Sequence, residues 1–420
     1  MLDIHFIREH ADLIRENCRK RRVVLDVDRL LSLDTTRRQI IHQIETVRAD
    51  RKRSSKSKPS DEQIMRLRGL GEQIKRLELE LSTLEPGYKE LLLQVPNLTD
   101  PKAPEGGEGD FKIVAQHGSV PSFDFQPQDH ETIMTGLGIL DLERGSKVAA
   151  SKFYFLKNDG VLLNLALIRY GIDLVSQYGY ELVQTPDVAR NEILAGIGFT
   201  PRGPETQVYS IENTELSLIG TAEITMGGYH AGEILDLSRG PKKYLAISQC
   251  FRTEGGAYGK VSKGLFRVHE FTKLEMFIFC RPEESEQMHA ELLRIEREIC
   301  DGLHLVYRVI DIAAADLGAP AYRKYDLEAW MTMKEEGGRR GGWGEITSAS
   351  NCTDYQARRL NIQYRKPDGS TEFVHTLNGT AIALSRFPVA IIEQYQQGDG
   401  SVEVPEVLQK YMGKRVIGSS

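Results

Sequence analysis

The chain has 420 residues, enough for a large core and two or three domains. At 40% apolar and 27% charged its composition is that of an ordinary globular protein, and no apolar run approaches the roughly 18 residues of a membrane span, which excludes a membrane-embedded protein. The net charge of −6 hides an asymmetry: ten Lys/Arg against four Asp/Glu between Arg37 and Arg68 leave −12 on the rest, the pattern of an acidic protein with one localised polyanion contact. A solvated charge run is the plainer alternative.

The N-terminus, MLDIHFIREH, lacks the apolar core of a secretory signal. Five cysteines (Cys18, Cys250, Cys280, Cys300, Cys352), odd in number and without a C-x-x-C pair, argue for reduced thiols in an intracellular protein and against structural zinc. Leu30, Leu33, Arg37, Ile40, Ile44 and Val47 then fall at alternating steps of three and four. So do Leu67, Leu70, Ile74, Leu77, Leu81, Leu84, Tyr88 and Leu91. Between the two seams lies RADRKRSSKSKPS, polar, basic and closed by Pro59. The pattern predicts an antiparallel helical hairpin over about 27–95, reaching roughly 35–45 Å at 1.5 Å per residue, with Arg48, Arg51, Lys52, Arg53, Lys56 and Lys58 near its tip. A compact helical bundle is the alternative. The Pro/Gly-rich stretch that follows divides a first domain, 1–100, from the rest, with a linker at 101–115 and a second domain at 116–420.

From Phe111 the pattern is mixed. An apolar helix around Val161–Tyr178, read through Leu162, Leu165, Ile168, Ile172 and Val175, leads to a strand ending at Pro186. LSLIGTAEI places Thr221 and Glu223 two apart in a strand-like setting, where a hydroxyl and a carboxylate share a face. ISQCFRTE and FRVHEFTKLEMFIF read as the strands of a hairpin around a basic glycine loop. Alternation puts Arg252 and Glu254 on one face of the first strand. On the second it puts Arg267, Phe271 and Glu275 on one face and Val268, Leu274, Met276 and Ile278 on the other. An arginine beside such a loop suits a polyphosphate, a phenylalanine can stack on a base, and a carboxylate can hold an amine. For any one of these residues alone, a solvated hairpin is the ordinary explanation. Residues 282–304 form an amphipathic helix, Asp326–Trp330 and EITSASN follow, and KEEGGRRGGWG between them suggests a flexible hairpin tip with no assigned function. In HTLNGTAIALSRF, Asn378 and Thr380 share a strand face and Arg386 begins a helix.

The string F-R-x-E, loop, R-x-H-x-F-x-x-x-E resembles motif 2 of the class II aminoacyl-tRNA synthetases, and the helix–strand–proline unit and the Asn378–Arg386 segment resemble motifs 1 and 3. With T-A-E ahead of motif 2 and the basic arm, the chain resembles the seryl-tRNA synthetases over nearly its whole length, in their bacterial or organellar form. Motif 3 departs from its common glycine-rich form at Ala381, Ala383 and Ser385. The resemblance implies an α+β fold: an antiparallel sheet flanked by helices, with an N-terminal antiparallel coiled coil. It implies ATP-dependent activation of L-serine to seryl-adenylate and transfer to tRNA(Ser), with tRNA(Sec) as a further candidate, by a homodimer in the cytoplasm or, as the alternative, an organellar matrix.

By the same resemblance Arg252, Glu254 and Arg386 are the catalytic set, and Thr221, Ala222, Glu223, Arg252, Glu275, Asn378 and Thr380 surround serine. ATP is implied at Arg252, Thr253, Glu254, Val268, Phe271, Glu345, Ile346, Thr347, Ser348 and Arg386, and Mg²⁺ at Glu345 and Ser348, which leave most of its coordination to phosphates and water. The arm-tip cations are implied to meet tRNA phosphates. No anticodon-binding domain follows motif 3, which disfavours the prolyl, threonyl and histidyl relatives. Two rival functions share the fold: a catalytically silent tRNA-binding paralogue, against which the full residue set speaks, and an aminoacyl ligase acting on a carrier protein, against which the arm speaks.

Overall fold

A computed structural model of the chain describes residues 1–54, 60–199, 208–254, 264–336 and 339–418. Two compact units divide between Leu98 and Thr99.

The first unit is helical. Helices α1 (Ile4–Glu9) and α2 (Ala11–Lys20) pack on the bases of two long helices, α3 (Val27–Ser54) and α4 (Asp61–Gln94). The short helices have no heptad signal and went unread in the sequence. Ser60 starts α4 with a reciprocal cap: its hydroxyl accepts from Gln63 N, and the Gln63 side chain accepts from Ser60 N. Ile40, Ile44 and Leu77 bury one against another along the seam, with Leu81 and Leu84 beside them. At the base the seam departs from a pure heptad. Asp34 is buried and takes Arg8 at 3.4 Å and Arg38 at 3.0 Å. Arg37 instead spans to Glu85 at 3.3 Å and lies over the Tyr88 ring.

In the second unit an eight-stranded sheet comprises β1 (Lys112–His117), β2 (Glu181–Gln184), β3 (Lys242–Phe251), β4 (Glu270–Cys280), β5 (Tyr307–Asp311), β6 (Arg323–Glu336), β7 (Arg339–Asn351) and β8 (His375–Ala383). Their order is β1-β5-β6-β7-β8-β4-β3-β2, antiparallel throughout except for β2 beside β3. The residues expected to be a linker, 101–115, belong to this unit. Asp100 N donates to Tyr322 O, Ala314 N donates to Pro104 O, and β1 already begins at Lys112. Glycine and proline there mark a chain held by backbone bonds to Tyr322 and Ala314, which composition alone does not distinguish from a tether.

Five helices matter for the site: α5 (His130–Gly136), α6 (Asp159–Val175), α7 (Ala222–Gly228), α8 (Ser285–Gly302) and α9 (Phe387–Gln394). Leu274, Met276 and Ile278 of β4 face the main core, as alternation predicts, while Phe277 and Phe279 enter a second core. Helix α6 crosses at Gly171, where a Cβ would stand 2.9 Å from both Leu274 and Ile382. Its buried face runs through Leu163, Ala166, Leu167 and Tyr170. Of the residues read as its apolar stripe, Ile168, Ile172 and Val175 meet the core while Leu162 and Leu165 are exposed, because the close approach at Gly171 turns Leu163, Ala166 and Leu167 to the sheet. The hairpin of β6 and β7 carries its pairing out to Glu336↔Arg339, and Gly337 and Gly338 lie outside the described residues. Among the described residues no helix is long and apolar enough to cross a membrane.

Candidate active site

Strands β3 and β4 end short of the motif that their sequence carries. Arg252 and Glu254 lie past the end of β3, and Arg267 and Val268 precede β4. Strand alternation therefore does not orient them. One further backbone bond, Arg252 N to His269 O at 2.9 Å, keeps the two chains paired as they leave the sheet. Glu254 sits at φ +51°, in the left-handed region, with Arg267 Nη1 donating to its Oε2 at 3.3 Å. The glycine loop between them, 255–263, lies outside the described residues.

These residues open onto a cavity that also takes in Phe271 and Lys273 of β4, Glu345, Ile346 and Thr347 of β7, Thr380 of β8, and Arg386. Arg252 is held by Nε donation to Gly220 O at 3.2 Å, and its guanidinium lies 5.3 Å from the Phe271 ring centroid. Arg386, the residue ahead of α9, places its guanidinium 3.8 Å from the Phe266 centroid and donates to Glu345 O at 3.4 Å. Its pKa is lowered to about 10, by burial first and by Arg267 and Arg252 besides, against the pull of Glu345; it stays cationic at neutral pH. Four cations and two carboxylates line the cavity, which suits a polyanion with more than one negative charge. Thr253, expected at the nucleotide, is half-buried and absent from the described lining.

Beside the cavity is a compact polar cluster. Thr221 and Glu223 are not on a strand: Thr221 caps α7, its hydroxyl accepting from Glu223 N at 3.2 Å, and Ala222 is the first residue of that helix. A threonine two residues ahead of a glutamate satisfies a helix start as readily as a strand, and the small residues after it favour the helix. Thr221 Oγ1 donates to Glu275 Oε2 at 3.4 Å, and Lys273, two residues back on β4, forms an ion pair with the same carboxylate. Glu223 accepts from Gln356 Nε2 at 2.7 Å, and Gln356 is fixed in turn by Thr376 Oγ1 at 2.6 Å. Burial above all, and the Glu275 charge with it, push the Glu223 carboxyl up to about 7. Thr380 is the cross-strand partner of Glu275, and Asn378 lies two residues before it, its amide donating to Cys352 Sγ at 3.8 Å. The sequence did not disclose Lys273 or Gln356. Lys273 shares the strand face of Glu275 and could have been found by period-two counting, whereas Gln356 meets Glu223 only through the fold.

A cation has a fitting edge here. Burial pushes the Glu345 carboxyl up, but Lys324, Arg386, Arg252 and Arg267 outweigh it and hold the group below the usual range, ionised. Ser348 is the cross-strand partner of Asp326, whose buried Oδ1 has no hydrogen-bond partner among the described residues while Oδ2 takes Lys324 at 3.0 Å. An ionised carboxylate, a hydroxyl and an orphaned acceptor are hard oxygen donors of the kind Mg²⁺ takes. Ser348 itself is not in the described cavity lining. Thr347 Oγ1 points away from the cavity and donates to the buried Glu296 at 2.8 Å.

In the first unit Arg48, Arg51 and Lys52 of α3 share a groove with Arg68 and Lys75 of α4. Arg48 pairs with Glu78 at 2.7 Å and Arg53 with Asp50 at 2.6 Å, both exposed. Lys56 and Lys58 lie outside the described residues.

Two family models match the chain: the seryl-tRNA synthetase N-terminal domain over residues 1–99, and the class II tRNA synthetase core domain (G, H, P, S and T) over residues 207–395. A serine–tRNA ligase of Treponema denticola is 47% identical over 427 residues, covering all of both chains. One of Rubrobacter xylanophilus is 49% identical over 426 residues, covering 100% of this chain and 99% of the other. The crystal structure of seryl-tRNA synthetase from Pyrococcus horikoshii complexed with ATP superposes with a TM-score of 0.89 at 37% identity, again over the whole of both chains. With the two domains in this order and likeness unbroken from end to end, the chain belongs to the seryl-tRNA synthetases, within class II of the aminoacyl-tRNA synthetases.

Proposed function

We propose that the chain activates L-serine with ATP and transfers the seryl group to tRNA(Ser). The observation that carries this is the adjacency of a cationic cavity bounded by Arg252, Glu345 and Arg386 and a buried acceptor cluster built on Glu275, Glu223 and Thr221. One side suits a triphosphate and the other a small cationic amine with a hydroxyl.

In the first step a serine carboxylate oxygen bonds to the α-phosphorus as the bond to pyrophosphate breaks. In the second, the terminal ribose hydroxyl of the tRNA takes the acyl carbon and AMP leaves. No side chain serves as nucleophile; catalysis is positioning and charge stabilisation. Arg252, whose guanidinium lies by the Phe271 ring, holds the α-phosphate and serine carboxylate, and Phe271 stacks on the adenine. Glu254 and the Val268 backbone meet the adenine edge, with Thr253 and Ile346 behind them, and Arg386 meets the γ-phosphate. Glu275 accepts the serine ammonium, Thr380 and Asn378 the hydroxyl, and Thr221 to Glu223 close the pocket. Glu345 and Ser348 would hold Mg²⁺, which would supply charge neutralisation at the phosphates. A pocket that hydrogen-bonds a hydroxyl leaves polar groups unpaired when alanine enters, a discrimination of about 10⁴–10⁵.

The arm residues Arg48, Arg51, Lys52 and Arg53, with Lys56 and Lys58, meet the phosphates of tRNA(Ser), and of tRNA(Sec) where one is present. The enzyme is a cytoplasmic homodimer. Exposed Leu162 and Leu165 on α6 and exposed Leu182 on the edge strand β2 support that pairing, since an open edge beside apolar side chains is otherwise an aggregation site. Serine-dependent exchange of pyrophosphate into ATP tests the proposal. Exchange is expected with serine and not with alanine or threonine; equal exchange with alanine would overturn it.

A further inference from the structure

One buried polar cluster is not absorbed by the chemistry above. His130, at the start of α5, and Glu393, in the last turn of α9, are 5% and 3% exposed. Glu393 Oε1 stands 2.7 Å from His130 Nδ1 and accepts His130 N at 3.3 Å, while its Oε2 accepts Met333 N of β6 at 3.0 Å. On the far side of the ring, His130 Nε2 accepts the backbone N–H of Leu265 at 3.2 Å. A ring nitrogen that accepts from an amide is bare, so the proton sits on Nδ1 and is donated to Glu393.

The approach is close. Gly264 has φ +55°, and a Cβ there would lie 2.4 Å from His130 Nε2, so a side chain at this position would push the imidazole off the backbone. Directly after Leu265 come Phe266, Arg267 and Val268, all lining the cavity, and Phe266 lies under the Arg386 guanidinium. Arg386 immediately precedes α9, and Glu393 lies in its last turn. The histidine therefore ties the chain entering β4 to the helix that carries the arginine above it, and Glu393 adds β6 to the same knot.

We propose that His130 is a positioning residue for the nucleotide: through the Leu265 amide it fixes Phe266–Val268 against α9, so that the wall meeting adenine and phosphate is formed before ATP arrives. It touches no substrate. This rests on the assignment of the cavity to ATP.

Two substitutions separate the ring's two nitrogens. His130→Asn can still reach Glu393 but not Leu265; His130→Gln can present a carbonyl to Leu265. Calorimetric ATP binding and the KM values of serine-dependent pyrophosphate exchange are measured together. The asparagine variant is expected to weaken ATP binding about tenfold, as loss of one buried hydrogen bond does, with the serine KM within about twofold of the parent and with ATP affinity largely restored in the glutamine variant. Equal ATP affinity in all three proteins, or a serine KM that rises as much as the ATP KM, would overturn the proposal. Should His130→Asn not fold, Gly264→Ala displaces the imidazole from the loop side and is expected to weaken ATP binding likewise; unchanged affinity there would overturn it as well. Absence of serine-dependent exchange in the parent protein would instead remove the functional assignment, while ATP binding would still report on His130.

Discussion

The Lys273 ammonium sits on the Glu275 carboxylate, two residues along the same face of β4, and both are nearly inaccessible to solvent. A second carboxylate, Glu223, lies close enough to be felt by Glu275 and is held by an uncharged donor, Gln356. The cluster thus holds two acids and one internal cation. On the proposed assignment, the ammonium of an entering serine would supply a second positive charge beside Glu275.

Glu275→Ala is the sharpest substitution of that cluster. Removing one member of a buried pair costs about 3–5 kcal/mol. Serine-dependent pyrophosphate exchange is expected to fall by about 10²- to 10⁴-fold in kcat/KM, while calorimetric ATP binding persists. Unchanged exchange would refute the role of Glu275.

Glu223 makes a prediction in pH. Its folded carboxyl titrates near 7 against an ordinary value of 4.5. Between those values the folded chain holds a proton that the unfolded chain has lost, so this group's contribution to stability declines as pH rises from about 4.5 to 7 and is level above. Glu223→Gln removes that titration. Relative to the parent, the variant is expected to gain stability between pH 5 and pH 8, by up to about 3 kcal/mol, in urea unfolding at the two pH values. A parent-to-variant difference independent of pH would contradict it.

The arm is tested by charge. Replacing Arg51, Lys52 and Arg53 with alanine is expected to raise the KM for tRNA about tenfold and to flatten its dependence on salt by two or so phosphate contacts, leaving pyrophosphate exchange unchanged. Deleting Thr36–Leu84 is expected to abolish charging while adenylate still forms. Equal charging by the deleted form would count against the arm's role.

Pairing of two copies through α6 and β2 predicts that Leu165→Asp, at a site already 61% exposed, leaves the melting temperature of the subunit little changed but shifts sedimentation towards the monomer. A parent that sediments as a monomer would remove the proposal.

Much of what is periodic was legible in the sequence. The two seams of α3 and α4 and the inward face of β4 at Leu274, Met276 and Ile278 follow from side-chain spacing alone. It misjudged Thr221 because the same T-x-E spacing serves a strand face and a helix cap, and it read Leu162 and Leu165 of α6 with Ile168, Ile172 and Val175 although only the last three meet the core. It could not supply Gln356 beside Glu223, 133 residues away, or the meeting of His130 with Leu265. Such contacts arise where distant segments meet, and no local spacing records them.

The most direct measurement is aminoacylation of total tRNA with each of the twenty amino acids in turn. Serine alone should be joined to tRNA, with serine acceptors charged and the rest left bare. Charging with another amino acid, or adenylate formation without any tRNA product, would contradict the account.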